Sequence, residues 1–346
     1  MLTVNYRKKD IMRAQNINCI RKNVRVQSSQ WTLILALVVS LYAPIEAWAQ
    51  TVEVSAETKL QALDLMKLGQ SAADKGNHQS AIEYFTQTIA LNPNDATAYY
   101  NRGVLYGKLD EPSSAISDFT QAIDLNPALA VAYYNRGVSY VVLNDYLSAI
   151  RDFSQAIALN PSDATAYNNR GGSYAKLNDR TSAIRDFSQA IALNPNLVVA
   201  YYNRGVSYTA LNDYLSAISD YTQAIALNPN YVEAYNNRGI LYRNLNDHSS
   251  AIRDYTQAIA LNPSDAKAYY NRGVSYADLN DHSAAIRDYT QAIALNPNYA
   301  DAYNNRGIEF VQQKNYRSAT RDARKVCSLG NCKILELLSK NGWIRD

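Results

Sequence analysis

From Ala62 onward the chain repeats itself every 34 residues, and that period constrains its fold more than any other feature. Ala132 to Pro161 laid over Ala200 to Pro229 differs at only five of thirty positions. Eight units follow, at 62–95, 96–129, 130–163, 164–197, 198–231, 232–265, 266–299 and 300–333. Without that repetition, 346 residues would suggest two or three globular domains. Most of the 28 Tyr, set against 5 Phe, recur at fixed places of the unit and are architectural before anything else.

The third unit shows what each repeat forms. Tyr133, Gly137, Tyr140 and Leu143 fall at helical spacing, as do Ala149, Ile150, Phe153, Ala156 and Ile157, so each set makes one apolar helix face. Asn144-Asp145 between them predicts a helix stop followed by an N-cap. Asn160-Pro161 ends the second helix, because proline disfavours helical geometry in the residue before it. Gly137 is expected to face the small Ala149, with Phe153 and Tyr140 filling the wider gap toward the next unit. One hairpin buries only one side of itself, and the entropy of ordering it outweighs that gain. Stability must therefore come from stacked neighbours.

With Tyr133, Gly137, Tyr140, Ala149, Phe153, Ala156 and Pro161 at these offsets, the chain resembles the tetratricopeptide repeat family over the whole of 62–333. The first unit departs from the signature with Leu65, Ala72 and Thr88, and the eighth with Ala323, Val326 and no proline. Terminal units need a solvated outer face, so atypical ends are expected. The resemblance implies an all-α, right-handed superhelical solenoid of about eight hairpins, whose first helices line a concave face. In that family the second, fifth, sixth and ninth places of the first helix tend to meet ligands. The sixth place here is Asn101, Asn135, Asn169, Asn203, Asn237, Asn271 and Asn305, with Lys67 in the first unit. The fifth offers Tyr100, Tyr134, Asn168, Tyr202, Asn236, Tyr270 and Asn304. An Asn amide both donates and accepts, so a ladder of them can pair with a peptide backbone whatever its side chains. The opposing reading is that these Asn are solvated or bond only to neighbouring helices. The clamp for acidic carboxyl-terminal tails found in other members needs Lys and Arg around one Asn, and this ladder lacks them.

The two ends carry different signals. Residues 1–30 hold Arg7, Lys8, Lys9, Arg13, Arg21, Lys22 and Arg25, followed by the apolar run Trp31 to Ala43 and the small-x-small pattern Ala47-Trp48-Ala49. Residues 1–49 read as a signal peptide cut before Gln50, or as an uncleaved signal anchor; Met12 is an alternative start. Either way the array is expected outside the cytoplasm, as a periplasmic, lumenal or extracellular protein. Residues 50–61 read as a short linker. The leader also accounts for the formal charge of +3, since without it 27 basic face 29 acidic residues. Such balance leaves no footprint for nucleic acid. At the other end, Ile334, Leu335, Leu337 and Leu338 suggest an apolar stripe on a cap spanning 334–346. Cys327 and Cys332 are expected to form a disulfide in an exported protein, the alternative being two unpaired thiols.

Nothing in the sequence points to catalysis. No phosphate-binding GxxxxGK[ST], HExxH or GxSxG motif is present. His78, His248 and His282 share one place in their units and read as turn residues, and no third ligand accompanies them for a metal. No cofactor or metal is expected, and the chain is read as a non-enzyme. Two functions fit: a scaffold that holds an extended peptide of a protein partner in the groove, or a module whose Tyr and Asn surface binds a glycan. The partner's identity and the oligomeric state are open.

Overall fold

The computed structural model describes residues 55–344, and the leader read at 1–49 lies outside them. Residues 61–346 form one compact unit, and of the other, 1–60, only the start of the first helix is described. Seventeen α-helices and no strand occur among the described residues. The hairpins are α1 (Ala56–Asp74) with α2 (His78–Leu91), α3 (Ala96–Lys108) with α4 (Pro112–Leu125), and α5 (Ala130–Val142) with α6 (Tyr146–Leu159). Next come α7 (Ala164–Lys176) with α8 (Arg180–Leu193), and α9 (Val198–Ala210) with α10 (Tyr214–Leu227). The last three are α11 (Val232–Asn244) with α12 (His248–Leu261), α13 (Ala266–Asp278) with α14 (His282–Leu295), and α15 (Ala300–Gln312) with α16 (Tyr316–Ser328). The cap is α17 (Lys333–Lys340). Helix α1 starts inside the segment read as a linker, so residues 56–61 are helical.

The turns follow from the residues at their centres. Asn144, Asn178, Asn212, Asn246 and Asn280 take left-handed φ values of 60 to 65°, which Asn tolerates better than most residues. Asp145 then caps α6 by accepting from the Ser148 backbone N–H at 3.1 Å. Asn160 ends α6 with its own N–H on the Ala156 carbonyl, 2.8 Å away.

Each helix packs on the one before and the one after, and first helices of successive units also touch, giving the superhelical array a continuous face of odd-numbered helices. The core alternates fully buried alanines such as Ala132, Ala149 and Ala166 with one large ring per hairpin. The expected glycine–alanine approach is seen at the equivalent Gly171, where a methyl group would lie 3.2 Å from the Ala183 carbonyl oxygen, and the ring packs on the glycine as well. A methyl group placed on Gly137 would lie 2.8 Å from Phe153 Cε1, so Phe153 packs on the glycine of its own hairpin, a contact that the sequence reading did not assign. In the eighth unit the ring is replaced by Ala323, and Ile334 of the cap approaches Gly307 instead. Ile334 and Leu338 are buried against Ala319 and Ala323, whereas Leu337, read as part of the same stripe, faces solvent. Cys327 and Cys332 are joined in a disulfide at the bend that starts the cap. No described helix is long and apolar enough to cross a membrane.

Candidate functional site

The fifth and sixth places stand in line along the odd-numbered helices, half-buried, and they are bonded to one another. Asn135 donates from Nδ2 to the Tyr100 hydroxyl one unit earlier at 3.1 Å, Asn169 to Tyr134 at 2.9 Å, Asn237 to Tyr202 at 3.2 Å and Asn305 to Tyr270 at 3.1 Å. Where the earlier residue is Asn the pattern adapts: Asn203 donates to Asn168 Oδ1 at 3.3 Å. Asn101, at the first junction, donates to the Met66 sulfur at 3.7 Å. The rung at Asn271 is broken, because Asn236 turns its amide to Asp265 at 3.0 Å. One amide hydrogen of most ladder residues is thus engaged between helices, as the opposing reading of the sequence has it, and the other polar positions of the amide are not taken up by that bond.

The ladder tyrosines are held from the other side too. The rings of Tyr100 and Tyr134 lie 5.9 and 5.8 Å from Phe119 and Phe153, and Tyr202 lies 4.8 Å from Tyr231. Burial raises the pKa of Tyr100, Tyr134, Tyr202 and Tyr270, so all four hydroxyls stay protonated and able to donate at neutral pH.

A second ladder, which the sequence reading missed, runs behind the first. Arg136 donates from Nε and Nη2 to both carboxylate oxygens of Asp152 at 2.7 and 2.9 Å, and from Nη1 to Thr120 of the preceding unit at 3.0 Å. One guanidinium therefore ties α4, α5 and α6 together. The same arrangement recurs from Arg102 with Asp118 to Arg306 with Asp322. Hydrogen bonding to Asp152 keeps Arg136 charged by raising its pKa further. The signal was available, since Arg at the seventh place is followed by Asp sixteen residues later in seven units. A polar residue in an apolar helix pattern reads as solvent-facing until the partner helix is placed, and periodicity alone does not place it.

The histidines correct the turn reading. His282 opens α14 and its Nδ1 lies 2.6 Å from Glu309 of the next unit, while His248 opens α12 and lies 3.4 Å from Asp278. The seventeenth place of a unit thus reaches across to the following first helix. Among the described residues no group of three or more His, Cys, Asp or Glu could hold a metal ion.

A groove of about 690 Å³ opens on the Asn and Tyr face over the third to fifth units, with Asn168, Asn169, Tyr202 and Asn203 in its wall. With this geometry in view, comparison with known proteins gives a consistent result. A tetratricopeptide repeat family model matches 130–163, 164–197, 198–231, 232–265 and 266–299, and a second model of the same repeat matches 68–134. The C-terminal part of a TPR repeat-containing protein from Cytophaga hutchinsonii is 19% identical with a TM-score of 0.60, the match covering 68% of this chain and 97% of that one. A tetratricopeptide repeat protein from Parabacteroides merdae is 22% identical with a TM-score of 0.51, covering 70% and 97%. At these identities the likeness is one of fold. No curated protein matches the chain.

Proposed function

The chain belongs to the tetratricopeptide repeat family, whose fold supports protein–protein interaction, and from that premise we propose that it is a non-catalytic scaffold holding an extended peptide of a partner along its Asn and Tyr face. The observation that carries this reading is the position of the 690 Å³ groove: it lies on that ladder and is walled by it. The hydrogen bonds from Asn to Tyr or Asn fix the amides in one orientation, so they are preorganised and a peptide need not order them on binding. The bonds between helices leave each ladder Asn its carbonyl oxygen or second amide hydrogen for a backbone partner. Helix spacing of roughly 8 to 10 Å puts about one such group against every third residue of an extended chain. A glycan fits less well, because stacking needs open ring faces and the ladder rings already pack on Phe119, Phe153 or Tyr231. On the same reading the array acts outside the cytoplasm, the support being the basic segment, apolar run and Ala47-Trp48-Ala49 of its leader.

Selection of displayed random peptides on the full-length chain tests the groove. Peptides so selected should bind a variant with Asn169→Ala and Asn203→Ala about tenfold or more weakly, each lost hydrogen bond costing ~0.5 to 1.5 kcal/mol. Unchanged binding by a variant with an unchanged melting curve would place the binding face elsewhere.

A further inference from the structure

The fourth unit breaks the repeat at two neighbouring places. Asn168 stands where the third and fifth units have Tyr134 and Tyr202, and Gly172 where they have Val138 and Val206. A methyl group built on Gly172 would meet nothing within 4 Å, unlike one on Gly171 beside it, which would strike Phe187. These two losses of side chain open the groove to about 690 Å³, within the range of sites that enclose a large organic group. Its walls include Val138, Val206 and the rings of Phe153 and Phe187. Asn168 is buried and bonded on both sides, donating to Asn169 at 3.2 Å and accepting from Asn203 at 3.3 Å, so the hollow has a fixed polar edge and an apolar interior.

Among the described residues its cations pair with no carboxylate. Arg180, which lines the groove, occupies the seventeenth place, from which His282 reaches Glu309 and His248 reaches Asp278. The corresponding residues of the fifth unit are Ser207 and Ala210, neither of which carries charge. The Arg180 Nε is buried and donates to no partner among the described residues, a costly state for a guanidinium N–H. Lys176 lines the same groove. An apolar hollow edged by a guanidinium with a free buried donor is complementary to a flat ring beside a carboxylate.

We propose that the hollow at Gly172 is the specificity pocket of the peptide groove and takes an aromatic side chain whose neighbouring Asp or Glu pairs with Arg180. This rests on the peptide-holding reading above, and it names the sequence class that the partner must present. The rest of the ladder contributes backbone contacts common to any extended chain, and although Asn236 and Asn304 also stand at the fifth place, only the fourth of the units from 96 onward has glycine at the ninth, so discrimination falls to it.

The test uses fluorescein-labelled twelve-residue Ala/Ser peptides carrying a central Phe-Asp, Ala-Asp or Phe-Asn, titrated with the full-length chain by fluorescence anisotropy. Phe-Asp should bind about tenfold or more tightly than either control, as one buried aromatic group or one charge-assisted hydrogen bond would give. Gly172→Val should erase the preference for Phe over Ala. Arg180→Tyr should erase that for Asp over Asn. Both substitutions restore residues found at the same place in sibling units, Val138 and Tyr146, so both variants should fold, with melting curves as the check. Equal binding of the three peptides, lost on Asn169→Ala with Asn203→Ala, would overturn the pocket and leave the groove reading standing. No binding of Phe-Asp at concentrations on the order of 1 mM would likewise overturn the pocket, the groove itself being judged by the peptide selection.

Discussion

The missing side chain of Gly137 lets the ring of Phe153 lie flat on α5, and the same contact recurs at Gly103, Gly171, Gly205, Gly239 and Gly273 with the ring of each hairpin. A side chain there has nowhere to go, because the ring is itself fully buried. Gly137→Leu should therefore lower stability by ~1 to 3 kcal/mol through overpacking, read as a fall in the urea midpoint. Gly107 supplies the control, being a helical glycine with open space around it. Gly107→Ala should leave stability unchanged or raise it by about 0.5 to 1 kcal/mol, so that the midpoint holds or rises. If the two substitutions behave alike, the ring is not what the glycine serves. Spacing along the chain showed that the eighth place must be small, and it left out the ring of the same hairpin as its neighbour. Helical periodicity reports which side of a helix is buried, whereas the partner on the other helix depends on how the two cross.

At the scale of helices, the hairpins, their Asn turns and Asp caps were legible because each is decided by residues within a few places of one another, as at Asn144 and Asp145. The start of α1 at Ala56 was missed because the family pattern begins at 62, although Ser55 just before it is an N-cap signal and accepts from the Thr58 N–H at 3.1 Å. The arginine ladder was hidden for the opposite reason: its partners lie sixteen residues away on two other helices. The site was half legible. The sequence located the Asn and Tyr places, but only the placed helices show that most of the amides bond to the fifth place of the preceding unit and that the Arg180 Nε has no hydrogen-bond partner among the described residues. The ladder also matters energetically. Arg136 and Asp152 keep only 16% and 9% of their side-chain surface exposed, so removing one partner strands the other. Asp152→Ala should cost ~3 to 5 kcal/mol, while Arg136→Met with Asp152→Leu should recover most of the loss. Thermal unfolding of both variants checks it. A loss below about 1 kcal/mol for Asp152→Ala would mean that the pair is worth no more than one on the surface.

Across the whole array, the ring packed on the glycine changes chemistry halfway: Phe85, Phe119, Phe153 and Phe187 serve the first four units, Tyr221, Tyr255 and Tyr289 the next three, and all seven are fully buried. Burial pushes the Tyr221 hydroxyl up to about 12 and raises Tyr255 and Tyr289 for the same reason. These groups remain protonated in the folded chain at pH values where the unfolded chain ionises them, near 10. Their contribution to stability is therefore whole below pH 10 and is lost as pH rises through about 12, the unfolded state binding fewer protons over that window. Units of a repeat array interact mainly with their neighbours, so the loss should stay local and the half containing Tyr221, Tyr255 and Tyr289 should open first. Brief digestion with an alkaline protease near pH 11 should then cut preferentially beyond residue 198, while circular dichroism still reports helix from the Phe units. Replacing the three tyrosines by Phe should raise the alkaline midpoint by roughly half a pH unit or more. At Tyr255 the replacement removes a buried hydroxyl that has no hydrogen-bond partner and should cost nothing at neutral pH. Cuts spread evenly over both halves, or a midpoint unmoved in the triple variant, would show that alkali unfolds the array through surface charge and not through its core rings.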